Sequence, residues 1–529
     1  MSVLKSWYEI AVNGATLRVE GEGVGLSLRD FLRGRGVTSV KAGCEERCDG
    51  GCTVIVDEGA SVGEGSRYRA IASCETLLVT LAGKRVLTAE GIGEHAGARE
   101  VREAIVSSGA TLCGYCGPGV MMTLFEAVHR GDLKSHRDLH EQLAGNVCRC
   151  TGYRSMKAAG VKAVRRYRTA ADGVSTEKPA GMFDPSVKKG EATGSGNSEE
   201  VEELEGASGE FQYADAKGGR FYRPASRAEL LMLLGQHREA VLVSGGTGVG
   251  ARARLGGGEA MACVISTAGV EDLRMVAETE VSWDVGAGVR LGRVRELAAG
   301  RYPLAGEVLG GYSRSDLNAG TAGGLLMGDG EGALNEWAGV LQALGAQVRL
   351  ASADGERESS VEQLLGKGGR VQVREGEVMV SLRFPRVKRG GARVMARHYR
   401  VRGVGGDVSV TGSFIVVLDS KKGKVEEASL VMGIAGVGMR PLRRTEKALV
   451  GKAWSEETMR GLLEGVRDEM GGKGRGDAVK RRQALNLFQK FYWEFEAGTG
   501  DRVLLGRSDL CLHPEEALVP GGNGGNGAG

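Results

Sequence analysis

The sequence predicts a multidomain protein of the α+β class. Its 529 residues are enough for roughly three or four domains. Alternating apolar residues around an Asn13-Gly14 turn predict a β-hairpin near the N-terminus, and apolar residues at helical spacing predict a helix over residues 120–128. Later in the chain, a capping signal at Ser226 predicts the start of a helix, and an apolar strand over residues 240–244 leads into a glycine-rich turn.

Charge and hydropathy exclude several functional classes. Lys and Arg number 70 against 67 Asp and Glu, a net charge of +3 with no basic block, which argues against a nucleic-acid binder. No apolar run approaches the roughly 18 residues of a transmembrane helix, and residues 1–12 lack the apolar core of a secretory signal. We therefore expect a cytoplasmic protein that binds neither nucleic acid nor membrane.

Cysteine is concentrated in the first 150 residues, which hold eight of the ten cysteines. Without a secretory signal, metal ligation explains them better than disulfide bonds. Four thiolates can bind a zinc ion or a [2Fe–2S] cluster, and sulfur ligation alone does not choose between them. The eight form two groups, the first cysteine motif (Cys44, Cys48, Cys52 and Cys74) and the second cysteine motif (Cys113, Cys116, Cys148 and Cys150).

The residues around the second cysteine motif identify its chemistry. They read Cys113-Gly-Tyr-Cys-Gly-Pro-Gly-Val-Met-Met and Gly145-Asn-Val-Cys-Arg-Cys-Thr-Gly-Tyr. Both strings closely resemble the second iron–sulfur motif of the xanthine dehydrogenase and aldehyde oxidase family, the molybdenum hydroxylases. The resemblance implies a [2Fe–2S] cluster held between two helix ends, and structural zinc is the alternative.

The first cysteine motif is similar to the plant-type ferredoxin loop at the head of the same family, with one departure. The plant-type spacing is C-x4-C-x2-C, whereas this chain has C-x3-C-x3-C, and Asp49 stands where a thiolate belongs. A shift of one residue displaces a Cα by about 3.8 Å. Either Gly50 and Gly51 let the loop adjust so that Cys48 ligates, or Asp49 supplies an oxygen ligand, or the cluster is lost; we favour Cys48.

Two glycine-rich segments resemble the FAD loops of the family. Backbone N–H groups in such turns can cradle a diphosphate without a bulky Cβ in the way. The first glycine loop (residues 242–249) follows the apolar strand, and the second glycine loop (residues 321–325) lies within Asn318-Ala-Gly-Thr-Ala-Gly-Gly-Leu-Leu. Carried over position by position, the implied FAD-binding residues are Leu242, Val243, Ser244, Gly245, Gly246, Thr247, Gly248, Val249, Thr321, Ala322, Gly323, Gly324, Leu325 and Met379.

Three positions depart from the family pattern near these cofactors. Leu325 replaces the asparagine of the family's Gly-Gly-Asn, and Ala333 stands where an acidic residue is expected, with Asp329 or Glu336 as candidates out of register. Leu112 replaces the glutamine that usually lies beside the molybdenum cofactor. The alternative to FAD binding is a flavin-type fold whose glycines only make turns.

The resemblance implies an order of domains along the chain. In sequence it gives a β-grasp [2Fe–2S] ferredoxin-like domain (1–95), a four-helix [2Fe–2S] domain (96–170), a flexible linker (171–218), an FAD-binding α+β domain (219–390), a C-terminal α/β layer like that of carbon monoxide dehydrogenase flavoproteins (391–505) and a flexible tail (506–529). The domain that binds molybdopterin and substrate has no counterpart in this sequence.

The implied function is electron transfer. As in the small subunit of a split xanthine dehydrogenase, electrons would pass from a molybdopterin centre on a separate large subunit through two [2Fe–2S] clusters to FAD, and then to NAD⁺ or O₂. This implies a hetero-oligomer. One alternative is a component of an aldehyde, nicotinate or carbon monoxide dehydrogenase, and another is a degenerate paralogue that acts as a binding partner.

Overall fold

The chain folds into two compact units. Unit 1 comprises Met1–Asp329, Leu344–Gly366 and Arg370–Lys388, and unit 2 comprises the remainder. The computed structural model describes residues 3–44, 49–59, 66–93, 95–171, 204, 209–255, 261–328, 334–366, 371–386, 393–403, 407–419, 422–471, 475–496 and 509–510.

Unit 1 begins with a five-stranded sheet in the order β2-β1-β5-β3-β4. Its strands are β1 (Trp7–Val12), β2 (Ala15–Glu20), β3 (Thr53–Asp57), β4 (Tyr68–Ala72) and β5 (Arg85–Leu87), with α1 (Leu28–Gly34) following β2. Asn13 and Gly14 join β1 to antiparallel β2 with φ angles of 53° and 84°, the left-handed conformation that an Asn-Gly hairpin turn requires. The predicted hairpin is therefore confirmed.

Four helices follow, and they share one apolar core. They are α2 (Ala98–Ser107), α3 (Gly117–Val128), α4 (His136–Gln142) and α5 (Arg154–Ala171). Leu124 on α3, Leu139 on α4 and Ala163 on α5 are fully buried in that core, which also contains Cys116 and Cys148. The predicted helix over residues 120–128 is confirmed, and its N-cap is Cys116.

Two further sheets complete unit 1. One has the order β6-β7-β9-β8, with strands β6 (Phe211–Ala214), β7 (Arg220–Arg223), β8 (Val241–Val243) and β9 (Cys263–Ser266). The other has the order β10-β11-β14-β12-β13, with strands β10 (Val276–Glu278), β11 (Ser282–Gly286), β12 (Gln347–Ser352), β13 (Gly355–Ser360) and β14 (Val378–Pro385). The associated helices are α6 (Arg227–Gln236), α7 (Thr247–Leu255), α8 (Leu291–Ala298), α9 (Pro303–Leu309), α10 (Arg314–Ala319), α11 (Ala322–Met327) and α13 (Val361–Leu364). As predicted, Ser226 caps α6, accepting a hydrogen bond from the Glu229 amide.

The predicted linker, 171–218, extends too far at its C-terminal end. β6 lies inside that range, and its backbone bonds to Lys5, which donates to the Gln212 carbonyl at 3.1 Å and accepts from the Ala214 amide at 2.9 Å. Phe211 and Tyr213 alternate into the core, but two apolar residues in a polar stretch give too short a period-two pattern to predict a strand. Residues 172–203 and 205–208 lie outside the described part of the chain.

Unit 2 is a five-stranded sheet covered by helices. The sheet order is β18-β17-β16-β15-β19, with strands β15 (Arg393–Arg402), β16 (Val408–Leu418), β17 (Val425–Ile434), β18 (Gly438–Pro441) and β19 (Asp509–Leu510). The helices are α12 (Glu336–Ala343), α14 (Arg443–Leu449), α15 (Glu456–Met470) and α16 (Arg475–Glu496). β19 lies in the predicted flexible tail, 506–529, and pairs parallel with Arg400 and Val401, which corrects that prediction for these two residues; the other tail residues are outside the described ones.

The predicted mixed α and β, multidomain architecture is confirmed. Among the described helices, none combines the length and the apolar character that crossing a bilayer requires.

Gly119 on α3 provides a test of how the first two domains pack. A Cβ added at Gly119 would lie 2.0 Å from the Gly50 carbonyl oxygen. We expect Gly119→Ala to lower the free energy of unfolding by about 1–3 kcal/mol, because a backbone neighbour cannot move aside as a side chain can. Urea unfolding followed by circular dichroism measures this change.

Gly117→Ala in the same helix is the matched control. Its added Cβ would meet nothing closer than 3.6 Å. We expect its free energy of unfolding to stay within about 0.5 kcal/mol of the unmodified protein. Equal losses in the two variants would show that α3 does not pack on Gly50.

Candidate functional site

Three thiols of the first cysteine motif lie together in the core. The sulfur atoms of Cys44, Cys52 and Cys74 are all within 4.8 Å of one another, with Cys52 Sγ 3.3 Å and Cys44 Sγ 3.9 Å from Cys74 Sγ. Cys52 directly precedes β3, and Cys74 lies in a 3-10 turn after the antiparallel neighbour β4. Apolar side chains, including Leu28 and Phe31, surround them. This donor set fits thiolate ligation of an iron–sulfur cluster in a shell that excludes water.

Asp49 bonds to neighbouring groups of the protein and not to the three thiols. One of its carboxylate oxygens accepts a hydrogen bond from the Tyr115 hydroxyl at 3.0 Å, and the other accepts from the Gly51 amide at 2.7 Å. Asp49 does not belong to the group of close thiols. The geometry therefore favours a structural role for this carboxylate. Cys48 lies outside the described residues and stays the predicted fourth ligand.

The second cysteine motif forms two thiol pairs. Cys113 interacts with Cys150, and Cys116 with Cys148. Cys116 and Cys148 are buried, whereas Cys113 and Cys150 are exposed. Cys148 Sγ also lies 3.2 Å from Thr151 Oγ1. Two pairs of thiols suit a [2Fe–2S] cluster, in which four cysteines serve two irons.

Local interactions give these thiols different proton affinities. Burial, with a further contribution from Cys148, raises the pKa of Cys116 to about 12. A hydrogen bond from the Tyr115 backbone, followed by one from Cys150, lowers the pKa of Cys113. Iron binds thiolates, so loading this site must release the proton that Cys116 retains.

The two cysteine motifs are in direct contact. The Val147 amide donates to the Asp49 carbonyl at 2.9 Å, and Asn146 Nδ2 donates to the Gly50 carbonyl at 3.4 Å. Together with the bond between Tyr115 and Asp49, these contacts fix the loop of the first motif on both arms of the second. At these bonds the two motifs are in direct protein contact, with no solvent between them.

The first glycine loop lies next to the first cysteine motif. Val243 and Val249 belong to the same apolar core as the three clustered thiols. A Cβ added at Gly250 would lie 2.0 Å from the Glu75 carbonyl oxygen, so α7 packs backbone to backbone on the 3-10 turn that carries Cys74. The first glycine loop therefore leads into a helix, α7, that contacts the turn carrying Cys74.

The segment just before the second glycine loop lies against the first loop. A Cβ added at Gly245 would lie 1.9 Å from the Ala319 carbonyl oxygen. Thr321 caps α11, its hydroxyl accepting from the Gly324 amide at 3.1 Å. The last of the implied FAD residues, Met379, is buried on β14, on which α11 packs.

Some glycines of the two loops leave room for an FAD diphosphate, whereas others are needed for close packing of the backbone. Gly248 is exposed and a Cβ there would meet nothing within 4 Å, so the backbone of the first glycine loop has room for a ligand. In the second glycine loop, the amides of residues 322–325 already donate to oxygens of the protein. Gly245 and Gly323 instead permit close contacts between backbones, as the turns-only alternative expects. The accessible backbone of the first loop therefore favours FAD, whereas the second loop has the internal bonding that turns alone would give.

Glu336, one candidate for the acidic group expected near FAD, is paired with two basic residues. In unit 2 its carboxylate accepts from His398 Nε2 at 3.1 Å and lies 3.0 Å from Arg400 Nε. Burial raises the pKa of Glu336, but these two partners outweigh that effect and hold it below its usual value. Burial lowers the pKa of His398, which also bonds to Ser413. The other positions considered, 329 and 333, lie outside the described residues.

Sequence analysis missed two buried carboxylates near these sites, Glu58 and Glu126. Glu58 follows a strand that ends in another acidic residue, and Glu126 lies in a helix, where a single glutamate usually faces solvent. In the sequence, the one available signal is that Glu126 interrupts the apolar face of its helix. Their contacts are described below.

Comparison with known proteins identifies the class of the chain. Residues 88–161 match the family described as [2Fe–2S] binding domain, residues 211–387 match the FAD binding domain in molybdopterin dehydrogenase, and residues 402–495 match the CO dehydrogenase flavoprotein C-terminal domain. These matches define a chain with a [2Fe–2S]-binding domain, an FAD-binding domain and a flavoprotein C-terminal domain.

Curated relatives specify the family. The chain is 26% identical to aldehyde oxidase 2 of Rattus norvegicus, over 96% of this chain and 40% of the relative. It is also 26% identical to xanthine dehydrogenase 1 of Arabidopsis thaliana, over 91% of this chain and 39% of the relative. A solved carbon monoxide dehydrogenase from Hydrogenophaga pseudoflava has 20% identity and a TM-score of 0.46, over 51% of this chain and 94% of that chain. The chain belongs to the molybdenum hydroxylase family and carries its iron–sulfur and FAD portion, spanning about two fifths of the length of these curated relatives.

Substitutions at Cys48 and Asp49 test which residue completes the first motif. We expect Cys48→Ser to remove one of two [2Fe–2S] signals in electron paramagnetic resonance (EPR) spectra of the reduced protein, because a hydroxyl is a poor ligand for iron in such clusters. Asp49→Asn should keep both signals, since the amide oxygen can still accept from the Gly51 amide.

Iron content measured on the same samples is the second readout. Loss of a signal in Asp49→Asn with retention in Cys48→Ser would assign the ligand to Asp49. Two intact signals in both variants would remove both residues from the ligand set.

Proposed function

We propose that this chain is the electron-transfer component of a xanthine dehydrogenase-like molybdenum hydroxylase. In this proposal Cys44, Cys48, Cys52 and Cys74 hold one [2Fe–2S] cluster, Cys113, Cys116, Cys148 and Cys150 hold a second, and the two glycine loops hold FAD. Electrons enter from a molybdopterin centre on another chain and leave to NAD⁺ or O₂. Thiolate-held clusters supply one-electron relay, and FAD supplies the junction with two-electron chemistry.

The observation that supports this proposal best is the unbroken sequence of contacts between the sites. The second cysteine motif bonds to the loop of the first through Val147 and Asn146. The turn that carries Cys74 packs on Gly250, at the end of the first glycine loop. Such an order suits transfer from the exposed second motif, through the buried first motif, to the flavin.

The protein's own residues insulate and support this path. Leu28 and Phe31 help to keep water from the three clustered thiols, and Tyr115 covers the loop at Asp49. A shell of low polarity and few solvent contacts tunes reduction potential as well as stability. The buried first motif and the half-exposed second motif therefore provide different environments for two clusters.

A partner surface is supported at the second cysteine motif. Large apolar side chains are exposed on both sides of the exposed thiols Cys113 and Cys150, a feature that marks interaction sites more often than free surface. These side chains are Leu112, Tyr115, Val147 and Tyr153. We propose that the molybdopterin-binding large subunit docks here in a hetero-oligomer.

The same proposal covers domain organisation and location. We propose that the first sheet and α1 form a β-grasp domain, that α2 to α5 form the four-helix [2Fe–2S] domain, and that unit 2 is the C-terminal α/β layer. A reducing, cytoplasmic location agrees with the eight described cysteines, none of which forms a disulfide.

Quantitative EPR and flavin analysis test the proposal. We expect the anaerobically purified, dithionite-reduced chain to show two distinct [2Fe–2S] signals, each of about one spin per chain, together with about one FAD per chain. A single signal would show that the first motif does not hold a cluster. Absence of flavin and of both clusters would favour a binding partner that has lost redox function.

A further inference from the structure

Two buried carboxylates connect the iron–sulfur half of unit 1 (residues 3–171) with its flavin half (residues 209–328, 344–366 and 371–386). Glu58 follows β3 of the first sheet, and Glu126 lies in α3. Their side chains are 7% and 0% exposed. An ionised carboxylate is costly to bury unless cations and hydrogen bonds compensate it, so the partners of these two groups are informative.

Glu58 holds the segment that pairs with the second glycine loop. Arg290 donates two hydrogen bonds to its carboxylate, at 2.9 and 2.7 Å, and Arg69 donates to it from the iron–sulfur half. The backbone of Arg290 forms a β-bridge with Thr321, the first residue of the loop. Arg290 therefore makes the bidentate ion pair through its side chain and pairs with the loop through its backbone.

Glu126 holds α10, the helix that leads into the same loop. Its carboxylate accepts from Arg314 Nε at 2.9 Å and from Asn318 Nδ2 at 3.0 and 3.1 Å. Asn318 lies near the end of α10, just before the loop. It also donates to the Ala70 carbonyl at 2.8 Å, while its own carbonyl accepts from Arg69 at 2.9 Å.

The two networks share Arg69, and both act at the N-terminal end of the loop. Arg69 donates to Glu58 and to the carbonyl of Asn318, and is itself nearly buried. Buried ion pairs add little net stability, but removing one partner leaves an uncompensated charge, and in some proteins such pairs select one geometry. Here the geometry selected is the placement of the second glycine loop against β4 and α3.

We propose that Glu58 and Glu126 are positioning residues that fix the second glycine loop on the iron–sulfur half. The part of this inference that concerns the flavin rests on the proposed function. Without either carboxylate, the loop still has its backbone bonds to residues 287 and 289 of its own half, so it loosens instead of unfolding. A looser loop binds the FAD diphosphate less well and lies less regularly beside the first motif.

Hydrogen exchange in the full-length protein tests the positioning role without requiring any cofactor. We expect Glu58→Gln and Glu126→Gln to speed amide exchange in residues 320–325 by about tenfold or more, because each places an amide against arginine donors that need an acceptor. Arg290→Gln should have the same effect as Glu58→Gln. Its side chain is 37% exposed, so this variant tests the pair even where loss of a buried carboxylate prevents folding.

Asp57→Asn is the matched control. Asp57 is the neighbour of Glu58 and its side chain is 4% exposed, but its partner is Arg67 of its own hairpin, at 2.6 Å. We expect loop exchange in this variant to stay within about twofold of the unmodified protein. Equal acceleration in Asp57→Asn, or unchanged exchange in the variants of Glu58, Glu126 and Arg290, would overturn the proposal.

FAD titration of the same proteins separates this inference from the proposed function. We expect the Kd for FAD to rise about tenfold in the Glu58→Gln and Glu126→Gln variants and to be unchanged in Asp57→Asn, with both cluster signals retained in all three. If the unmodified chain binds no FAD, the proposed function fails, while the exchange data still decide whether the two carboxylates position the loop. Faster loop exchange with unchanged FAD affinity would overturn the flavin part alone.

Discussion

The candidate sites depend on three places where glycine lets two backbones touch. Gly119 meets the Gly50 carbonyl, Gly250 meets the Glu75 carbonyl, and Gly245 meets Ala319, and a Cβ at each would lie 1.9–2.0 Å from a carbonyl oxygen. These contacts join the second cysteine motif to the first, the first motif to the helix that follows the first glycine loop, and that loop to the segment just before the second. Because electron transfer weakens steeply with distance, contacts without side chains between them are the ones an electron relay needs.

Buried charged groups fix the register of this interface, which the glycine contacts alone do not. A contact between two backbones sets a distance, but it constrains sliding along the interface only weakly, since it involves few directional bonds. The carboxylates of Glu58 and Glu126 accept directional, charge-assisted bonds from Arg290, Arg314 and Asn318 across the same interface. Distance and register are therefore controlled by different chemistry, which explains why an interior so rich in small residues also contains buried ions.

The fold was predictable wherever the signal was local. The hairpin at Asn13, the cap at Ser226 and the helix after Cys116 each depend on a few neighbouring residues, and each is confirmed. β6 pairs with nearby β7, but its four residues are too short a pattern to predict a strand, and its other partners, Lys5 and Tyr8, are distant in sequence.

The cysteine and glycine sites were predictable from sequence motifs, whereas the buried carboxylates were not predictable from the pattern of charged residues. Family resemblance located the cysteines and glycines, and the structure brings Cys44, Cys52 and Cys74 together. It could not locate Glu126, which a sequence presents as one glutamate in a helix, because the residues that compensate its charge lie far along the chain. It also made Glu336 a candidate beside the flavin, whereas His398 and Arg400 bind that carboxylate within unit 2.

The shifted cysteine of the first motif gains a physical explanation from Asp49. In the plant-type spacing a thiolate would stand at this position, where the structure has a carboxylate bonded to the Tyr115 hydroxyl and the Gly51 amide. Those bonds attach the loop to the second motif, a contact that a thiolate committed to iron could not make. At this position the departure therefore provides a bond between the two motifs, and Cys48 stays the predicted fourth ligand. A degenerating site would be expected to lose such contacts, and here the altered residue forms one of the bonds that hold the two motifs together.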